Sequence, residues 1–288
     1  MIFLIYVITG PTGVGKTNLS IKLAKKLNAS IINCDSMQIY KELNIGTAKI
    51  KEEEMQGIKH YLINTKSVFD DYNVCAYQKD ARKILNELIK ENKNVLIVGG
   101  TGLYLKALLY DYKFDEENIT NDYSKYTLEE LVNKIKSINN TTNIDFNNRR
   151  RVERTLQKIE NNAESTSNKN VKLYDFKLIC LTRKKDNLYN NINLRVDRMI
   201  KEGLKEEAYN LYQKNIHTRA INTAIGYKEL YLYFDKKLTL DEAIDKIKLN
   251  SRRYAKRQLT FFKNQFSDIK WYNLDEIDEE DIIKDILS

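Results

Sequence analysis

The first residues of the chain form a continuous apolar run, Ile2–Ile8, in which β-branched side chains are the majority. Such a run predicts a strand that is buried on both faces of a parallel sheet. Ile31–Cys34 and Val95–Val98 predict two further strands of this kind, and Tyr61–Ile63 predicts a weaker one between them. A later run, Tyr174–Leu181, predicts another strand of the same sheet.

Helical periodicity separates these strands. Leu19, Leu23, Ala24 and Leu27 recur at helical spacing after the first strand, and residues 77–90 form a helical pattern before the strand at Val95. Beyond the last strand the pattern is helical at residues 186–201, 204–214, 228–234 and about 241–266. The alternation of strands and helices predicts an α/β fold in which helices cover both faces of a parallel sheet.

Residues 113–170 interrupt this pattern, because the first part is rich in Asn, Asp and Lys and contains few strand formers. Thr127 and Glu130 form a capping-box pattern ahead of one amphipathic helix, and a second helix is predicted near residues 149–159. We therefore predict a small all-helical insertion domain of residues 113–170 within a core domain built from residues 1–112 and 171–288.

Composition narrows the class of protein. Of the 288 residues, 42% are hydrophobic and 31% are charged, so the chain can bury a core. The opening apolar run has no basic leader or cleavage site and is too short to span a membrane, so we expect a cytoplasmic protein without membrane association. The three cysteines are too widely spaced for a disulfide framework or a zinc motif.

Charge is unevenly distributed along the chain. The net charge is +8, yet the tail of residues 273–288 contains seven acids and one lysine, so the remainder carries +14. A surface of this kind attracts polyanions, although a positive excess alone more often reflects solubility.

Residues 10–17, Gly-Pro-Thr-Gly-Val-Gly-Lys-Thr, fit the phosphate-loop pattern and lie between a predicted strand and a predicted helix. The glycines let backbone N–H groups point at phosphate oxygens, and the start of the helix adds to their attraction. Lys16 supplies a mobile positive charge, and the Thr17 hydroxyl can coordinate Mg²⁺. The pattern predicts a phosphate site without identifying the phosphate.

The expected metal-holding acid of a P-loop NTPase is missing, because the strand Val95–Val98 ends in Gly99-Gly100-Thr101-Gly102. A carboxylate occurs instead at Asp35, directly after the strand Ile31–Cys34, where it would face the phosphate loop from the neighbouring strand. This position suits a base aimed at a nucleophile, and it equally suits a helix-capping or turn aspartate.

Seven blocks in the chain together resemble the tRNA dimethylallyltransferases. They are the phosphate loop, Asp35–Tyr40, Gly46–Lys49, Gly99–Tyr104, Ile192–Met199, Ile225–Glu229 and Arg252–Gln258. The blocks occur in the family's order and span most of the chain, and the lack of a C-terminal zinc finger indicates the bacterial type. The resemblance implies transfer of a dimethylallyl group from its diphosphate to N6 of the adenosine 3′ of the anticodon, with release of diphosphate.

The resemblance also implies roles for the residues of the loop. The donor, dimethylallyl diphosphate, would be bound by Gly10, Pro11, Thr12, Gly13, Val14, Gly15, Lys16 and Thr17, with Mg²⁺ held through Thr17. Lys16 and Thr17 would act in catalysis by stabilising the departing diphosphate. Asp35 would be the catalytic base that takes a proton from the weakly nucleophilic N6 amine.

Further residues are implied to contact tRNA, which is the expected macromolecular partner of an enzyme that we expect to be monomeric. Around the target adenine, which must be flipped out of the anticodon loop, these are Asp35, Ser36, Met37, Gln38 and Thr101. On the arginine-rich helix of the insertion they are Arg150, Arg151, Val152, Glu153 and Arg154.

A second basic stretch, residues 246–263, contains seven basic residues and no acid. In a helix Arg253 and Arg257 are one turn apart, as are Arg252 and Lys256, which predicts a basic face suited to tRNA phosphates. The aromatic residues among them, Tyr254, Phe261 and Phe262, could stack on unpaired bases, although packing in the core is the favoured interpretation for the two phenylalanines.

The chain departs from the family pattern at two places. The insertion is short, with residues 143–148 where relatives usually carry an aspartate-proline element and a His-Pro-Asn stretch. Thr223 stands where some members have an arginine or a glutamine, so a donor contact from this position is not expected.

Three other functions remain open on the sequence. An adenylate isopentenyltransferase would share the phosphate loop and Asp35, but it would not need to bind an anticodon. The two basic clusters therefore favour tRNA as the acceptor substrate. A small-molecule kinase of the P-loop class is compatible with the loop alone. An RNA-binding ATPase switch is disfavoured by the missing acid at Gly99.

Overall fold

The computed structural model describes residues 5–114, 121–139, 144–161 and 169–288. Within them lies one six-stranded parallel sheet in the order β3-β2-β4-β1-β5-β6. The strands are β1 Ile5–Thr9, β2 Ser30–Asn33, β3 His60–Tyr61, β4 Val95–Val98, β5 Phe176–Thr182 and β6 Lys270–Asn273. The parallel α/β fold predicted from the sequence is confirmed.

Helices follow most of the strands. In the core they are α1 Lys16–Leu27, α2 Glu52–Met55, α3 Val74–Lys90, α4 Gly102–Leu109, α7 Lys185–Lys201, α8 Leu204–Gln213, α9 Arg219–Thr223, α10 Tyr227–Phe234, α11 Leu240–Gln265 and α12 Glu279–Leu287. The remaining two, α5 Leu128–Ile138 and α6 Arg149–Glu160, belong to the predicted insertion.

Strand β1 explains why the core has two halves. Its successive side chains point to opposite faces of the sheet, and all five residues are buried. Ile5 and Val7 join a cluster with residues of α3, α4 and α8–α11, whereas Tyr6 and Ile8 pack with residues of α1 and α12. Helices therefore cover both faces, as the unbroken apolar run predicts.

The chain divides into two compact units, one of residues up to Tyr110 and from Lys172 onward, and one of residues 111–171. These bounds lie within two residues of the expected limits. In the second unit α5 packs against α6 around Leu131, Ile135, Val152 and Leu156. The predicted capping box is present, because the Thr127 hydroxyl accepts from the Glu130 N–H while the Glu130 carboxylate accepts from the Thr127 N–H.

Three features of the core differ from the predictions made from the sequence. The strand β2 that leads to Asp35 is not the neighbour of β1, because β4 lies between them. Strand β6, which comes just before most of the acidic tail, and helix α12 within the tail were not predicted, and α12 pairs Glu279 and Glu280 with Lys22 and Lys26 of α1. Helix α4 was also missed, because most of its side chains are buried and no polar face marks it.

Candidate active site

The phosphate loop joins the end of β1 to the start of α1, as the sequence predicts. Gly15 precedes the helix with a φ of 114°, a conformation that favours glycine. Gly10 also has a positive φ, and a Cβ there would lie 2.5 Å from the Leu181 carbonyl oxygen of β5. Both glycines are therefore required by the backbone path of the loop.

The N–H groups of the loop are not all equivalent. The N–H of Thr12 donates to the side chain of Gln258 at 2.9 Å, whereas the hydrogen bonds found among the described residues do not use the N–H of Gly13, Val14 or Gly15. Helix α1 also has no acidic residue in its first turn and no side-chain cap. The loop and helix start can therefore offer several donors to an anion.

Arg183 supports the loop on its other side. Its Nε donates to the Val14 carbonyl at 3.2 Å, and its Nη1 forms an ion pair of 2.6 Å with Asp275, which follows β6. The acidic tail thus contributes directly to the position of the phosphate loop. No pattern in the local sequence indicates this role of Arg183 or Asp275.

Lys16 lies at the mouth of the loop, with its Nζ donating to the carbonyls of Gly10 at 3.0 Å and Pro11 at 2.9 Å. Burial and, after it, the nearby charge of Arg195 lower the pKa of Lys16 to about 8, against an opposing effect of Asp35. Burial also lowers the pKa of Arg195, which Asp35 again opposes. The charges of Lys16, Arg195 and Asp35 therefore influence one another.

Asp35 lies beyond the end of β2, at the same edge of the sheet as the loop. Its Oδ1 accepts from the N–H groups of Met37 at 2.9 Å and Gln38 at 3.4 Å, so the carboxylate does serve as a turn residue. Among the described residues no hydrogen bond uses Oδ2, and Asp35 lines the cavity. The turn interpretation and the catalytic one are therefore compatible, since each uses a different oxygen.

The intervening strand β4 ends in glycines that allow the two loops to approach each other. A Cβ at Gly99 would lie 2.1 Å from the Cys34 carbonyl oxygen, and one at Gly100 would lie 2.2 Å from Gln258 Nε2. The acid that the sequence pattern lacks at this position would have no room in this backbone arrangement. The carboxylate at this edge of the sheet comes instead from the residue pair that follows the next strand, β2.

The residues predicted around the adenine lie together. Ser36, Met37 and Gln38 line the cavity, and Thr101 lies behind Ser36, accepting from its N–H at 3.0 Å. Gln38 donates from Nε2 to the Thr47 carbonyl at 3.2 Å, which commits one end of its amide.

Arg195 was quoted within a sequence block but given no role, and the structure places it in the cavity wall. Its Nη2 donates to the Thr47 carbonyl at 3.1 Å, the same oxygen that receives Gln38. The segment that carries Thr47 is in turn held by Glu207 of α8, whose carboxylate accepts from the N–H groups of Asn44, Ile45 and Gly46.

Lys16, Asp35, Arg195 and the segment of residues 36–38 line one cavity of about 570 Å³ within the first unit. The phosphate loop and Arg195 lie on its wall with Asp35, and Tyr254 and Gln258 of α11 complete the lining. Burial raises the pKa of Tyr254, so its phenol stays protonated. The cavity combines an anion site with a carboxylate that has an unused oxygen.

Comparison with known proteins identifies the family. A family model described as IPP transferase matches residues 38–265. The chain belongs to the IPP transferase family. The resemblance seen in the seven sequence blocks is thereby confirmed.

Individual relatives agree with the family model. The tRNA dimethylallyltransferase of Anoxybacillus flavithermus is 44% identical over 282 residues, which cover 94% of this chain and 90% of that protein. The crystal structure of a tRNA isopentenylpyrophosphate transferase from Staphylococcus epidermidis is 33% identical, with a TM-score of 0.77 over 99% of this chain and 98% of that one. A eukaryotic dimethylallyltransferase, solved acting on tRNA, is 26% identical, with a TM-score of 0.84 over 99% of this chain and 80% of that one.

In this IPP transferase the basic residues of α11 fall into two groups, which the sequence does not indicate. Some contact other residues of the protein, and others are exposed. Arg252 donates to Asn193 of α7 at 2.6 Å and Lys248 pairs with Asp197 at 2.6 Å, so these cations are engaged within the protein. Arg253, Lys256 and Arg257 are exposed. The predicted basic face of α11 therefore consists of three exposed cations beside the partly engaged Arg252.

The aromatic residues of α11 point inward. Phe262 is fully buried and Phe261 packs against the same core cluster, so core packing is confirmed for both. Only Tyr254 lines the cavity, where it lies among the residues predicted to surround the adenine.

The arginine-rich helix of the insertion is α6. Arg150, Arg151 and Arg154 are exposed, as contact with RNA requires. Val152 is fully buried between α5 and α6, so its side chain belongs to the core of the insertion. Glu153 forms an ion pair of 2.7 Å with Arg149, which places it in support of the helix surface.

The described residues contain neither a cluster of metal-binding side chains nor a membrane-spanning helix. Within residues 5–114, 121–139, 144–161 and 169–288, no cluster of three or more His, Cys, Asp or Glu could hold a metal ion. None of the helices in those ranges is long and apolar enough to cross a membrane.

Proposed function

We propose that this enzyme transfers a dimethylallyl group from dimethylallyl diphosphate to N6 of the adenosine 3′ of the anticodon in tRNA, releasing diphosphate. The observation that carries the proposal is the cavity in which the phosphate loop and Lys16 share one space with the carboxylate of Asp35. Membership of the IPP transferase family supplies the reaction class, and relatives named for tRNA dimethylallyl transfer supply the acceptor.

The donor side of the reaction is an anion-stabilising task. When the carbon–oxygen bond to the diphosphate breaks, negative charge grows on the leaving oxygen. Lys16, Arg195 and the N–H groups of Gly13, Val14 and Gly15 would stabilise that charge; all but Val14 line the cavity. Partial burial strengthens their effect, because water screens them less than it would at the surface.

The acceptor side needs a base, because the N6 lone pair is delocalised into the adenine ring. Asp35 Oδ2 would take one N6 proton as the new carbon–nitrogen bond forms. The two N–H groups that bond Oδ1 hold the carboxylate in place without occupying its other oxygen.

The adenine would enter the cavity as a flipped base next to Ser36 and Gln38. Because Gln38 Nε2 bonds the Thr47 carbonyl, its amide oxygen is the group left to accept a hydrogen bond from the base. Exposed cations of α11 and α6, led by Arg253, Arg257 and Arg150, would contact phosphates of the RNA.

We infer that Mg²⁺ is the metal cofactor. Thr17 lines the cavity beside Lys16 with an exposed hydroxyl, and a single hydroxyl with phosphate oxygens and water is a donor set that Mg²⁺ accepts. When bound, the ion would neutralise charge on the diphosphate.

The enzyme would act as a monomer in the cytoplasm. Size-exclusion chromatography with light scattering tests this, and a stable dimer at working concentration would contradict it.

The test of the function is mass spectrometry of tRNA nucleosides after incubation with the protein, Mg²⁺ and dimethylallyl diphosphate. We expect adenosine to gain one dimethylallyl group, and only when both substrates are present. Adenosine monophosphate serves as the competing acceptor. Modification of the free nucleotide but not of tRNA would overturn the proposed acceptor, and no transfer to either would overturn the function.

A further inference from the structure

Gln258 of α11 makes a contact with two loops at once. Its Oε1 accepts from the Thr12 N–H at 2.9 Å, and its Nε2 donates to the Gly100 carbonyl at 2.9 Å. The side chain is only 5% exposed. Because the first partner is an obligatory donor and the second an obligatory acceptor, the orientation of the amide is fixed by its neighbours.

The packing around this amide is close. A Cβ at Gly100 would lie 2.2 Å from Gln258 Nε2, so the glycine leaves the space that the amide fills. One turn on either side of the same helix, Tyr254 lines the cavity and Phe261 packs where a Cβ at Gly102 would lie 2.3 Å from its ring. The face of α11 that carries Gln258 and Phe261 therefore packs closely against the loop that follows β4.

The two loops that Gln258 joins have different tasks in the proposed reaction. Thr12 belongs to the phosphate loop, on the donor side. Gly100 precedes Thr101, whose N–H donates to the Cys34 carbonyl at 3.1 Å and whose hydroxyl accepts from the Ser36 N–H at 3.0 Å. Gly100 is therefore fixed to the segment that carries Asp35, on the acceptor side.

We propose that Gln258 is a positioning residue for the transfer, which sets the separation between the donor-holding phosphate loop and the acceptor-holding segment around Asp35. Its effect is on geometry, since each of its two amide atoms already bonds one of the two loops. The proposal rests on the proposed function and adds to it the device that aligns the two substrates.

The first experiment replaces Gln258 with methionine, which has a similar length but neither donor nor acceptor. Displacement of reacting atoms by about 1 Å can lower the rate roughly 100-fold. We therefore expect kcat to fall by about 10- to 100-fold, while the KM values for dimethylallyl diphosphate and tRNA change by less than threefold. Gln265→Met, an exposed position on the same helix, is the matched control and should keep wild-type kinetics.

The second experiment reaches the same contact from the other side. Gly100→Ala pushes a methyl group against Gln258 Nε2, so it should also lower kcat with little change in either KM. Because both substitutions break one contact, their effects should not multiply, and the double variant should be about as slow as the slower single variant.

The outcomes separate the two proposals. If the wild-type protein has no transfer activity, the proposed function is contradicted. If the wild type is active and Gln258→Met has normal kinetics, only the positioning role is contradicted. A rise in KM at unchanged kcat, or fully multiplicative effects in the double variant, would also overturn it. If Gln258→Met does not fold, as judged by circular dichroism, the separate effects of Gly100→Ala on kcat and on KM decide whether the positioning role holds.

Discussion

The guanidinium of Arg195 lies near enough to Lys16 to lower the pKa of its ammonium, although the two residues come from helices far apart in the chain. Like charges are held together here because Arg195 is bonded to the Thr47 carbonyl and Lys16 to two carbonyls of its own loop. A site with two adjoining cations and several backbone donors is suited to an anion with more than one negative charge.

Removal of the Lys16 charge should act on the donor alone. In Lys16→Ala we expect weaker binding of dimethylallyl diphosphate and slower transfer, while the affinity for tRNA stays within about twofold, because the basic surfaces of α11 and α6 are unchanged. Calorimetry with each substrate measures this. Lys25→Ala, an exposed lysine of the same helix, is the control, and a collapse of tRNA affinity with normal donor use would contradict the assignment.

Donor binding should weaken as the pH rises through about 8, since the pKa of Lys16 is lowered to about 8. The protonated ammonium attracts the diphosphate, and above this pH the loss of affinity should approach about tenfold per pH unit. Lys16→Arg keeps its charge throughout, so its affinity should follow a flatter profile. Titration of both proteins between pH 7 and 9 decides, and identical profiles would show that Lys16 is not the titrating group.

Asp35→Asn should separate base catalysis from binding. The amide keeps the size and hydrogen-bonding capacity of the side chain but cannot accept the N6 proton, so turnover should fall by roughly 10²–10⁴. Single-turnover transfer is measured well below pH 8, because Asp35 also raises the pKa of Lys16.

Metal dependence distinguishes the alternative role of Asp35. If the carboxylate mainly holds Mg²⁺, higher Mg²⁺ concentrations should restore much of the rate of Asp35→Asn. We expect little restoration, together with donor and tRNA affinities close to those of the wild type. Substantial rescue, or near-normal turnover, would show that Asp35 is not the base.

Neutralising Arg253 and Arg257 should flatten the salt dependence of tRNA binding. Each lost phosphate contact lowers the slope of log affinity against log salt by roughly 0.7–0.9. Both residues are exposed, one turn apart on α11. The matched control neutralises Lys22 and Lys26, which are also one turn apart but are already paired with Glu279 and Glu280. An unchanged slope after loss of both arginines would make this an ordinary solvated helix face.

Glu207→Gln should destabilise the fold. The carboxylate accepts from three consecutive N–H groups, residues 44–46, and from the Tyr227 hydroxyl. Since hydrogen bonds to a charged group contribute about 1.5–3 kcal/mol, we expect a loss of that order in the free energy of unfolding. Denaturant unfolding measures it, with the exposed neighbour Glu206→Gln as control, and equal stability of the two variants would contradict the prediction.

Some of the site could be predicted from the sequence because local patterns encode it. The glycines, Lys16 and Thr17 of the phosphate loop follow one another in the chain, and strand and helix on either side are marked by their own periodicity. Asp35 was identified for the same reason, since a polar residue directly after a buried strand lies at the sheet edge.

The sequence by itself determined the alternation of strands and helices, the interruption by the helical insertion and the chemistry of the phosphate loop, since each depends on neighbouring residues. Only the tertiary structure decided that β4 separates β2 from β1, that Asp275 of the acidic tail pairs with Arg183, and that Gln258 bonds the phosphate loop while Arg195 lines the same cavity. These contacts join segments distant in sequence, and a lone Gln or Arg carries no periodic signal of its partner. Their places follow from how the helices pack on the sheet, which one segment alone does not encode.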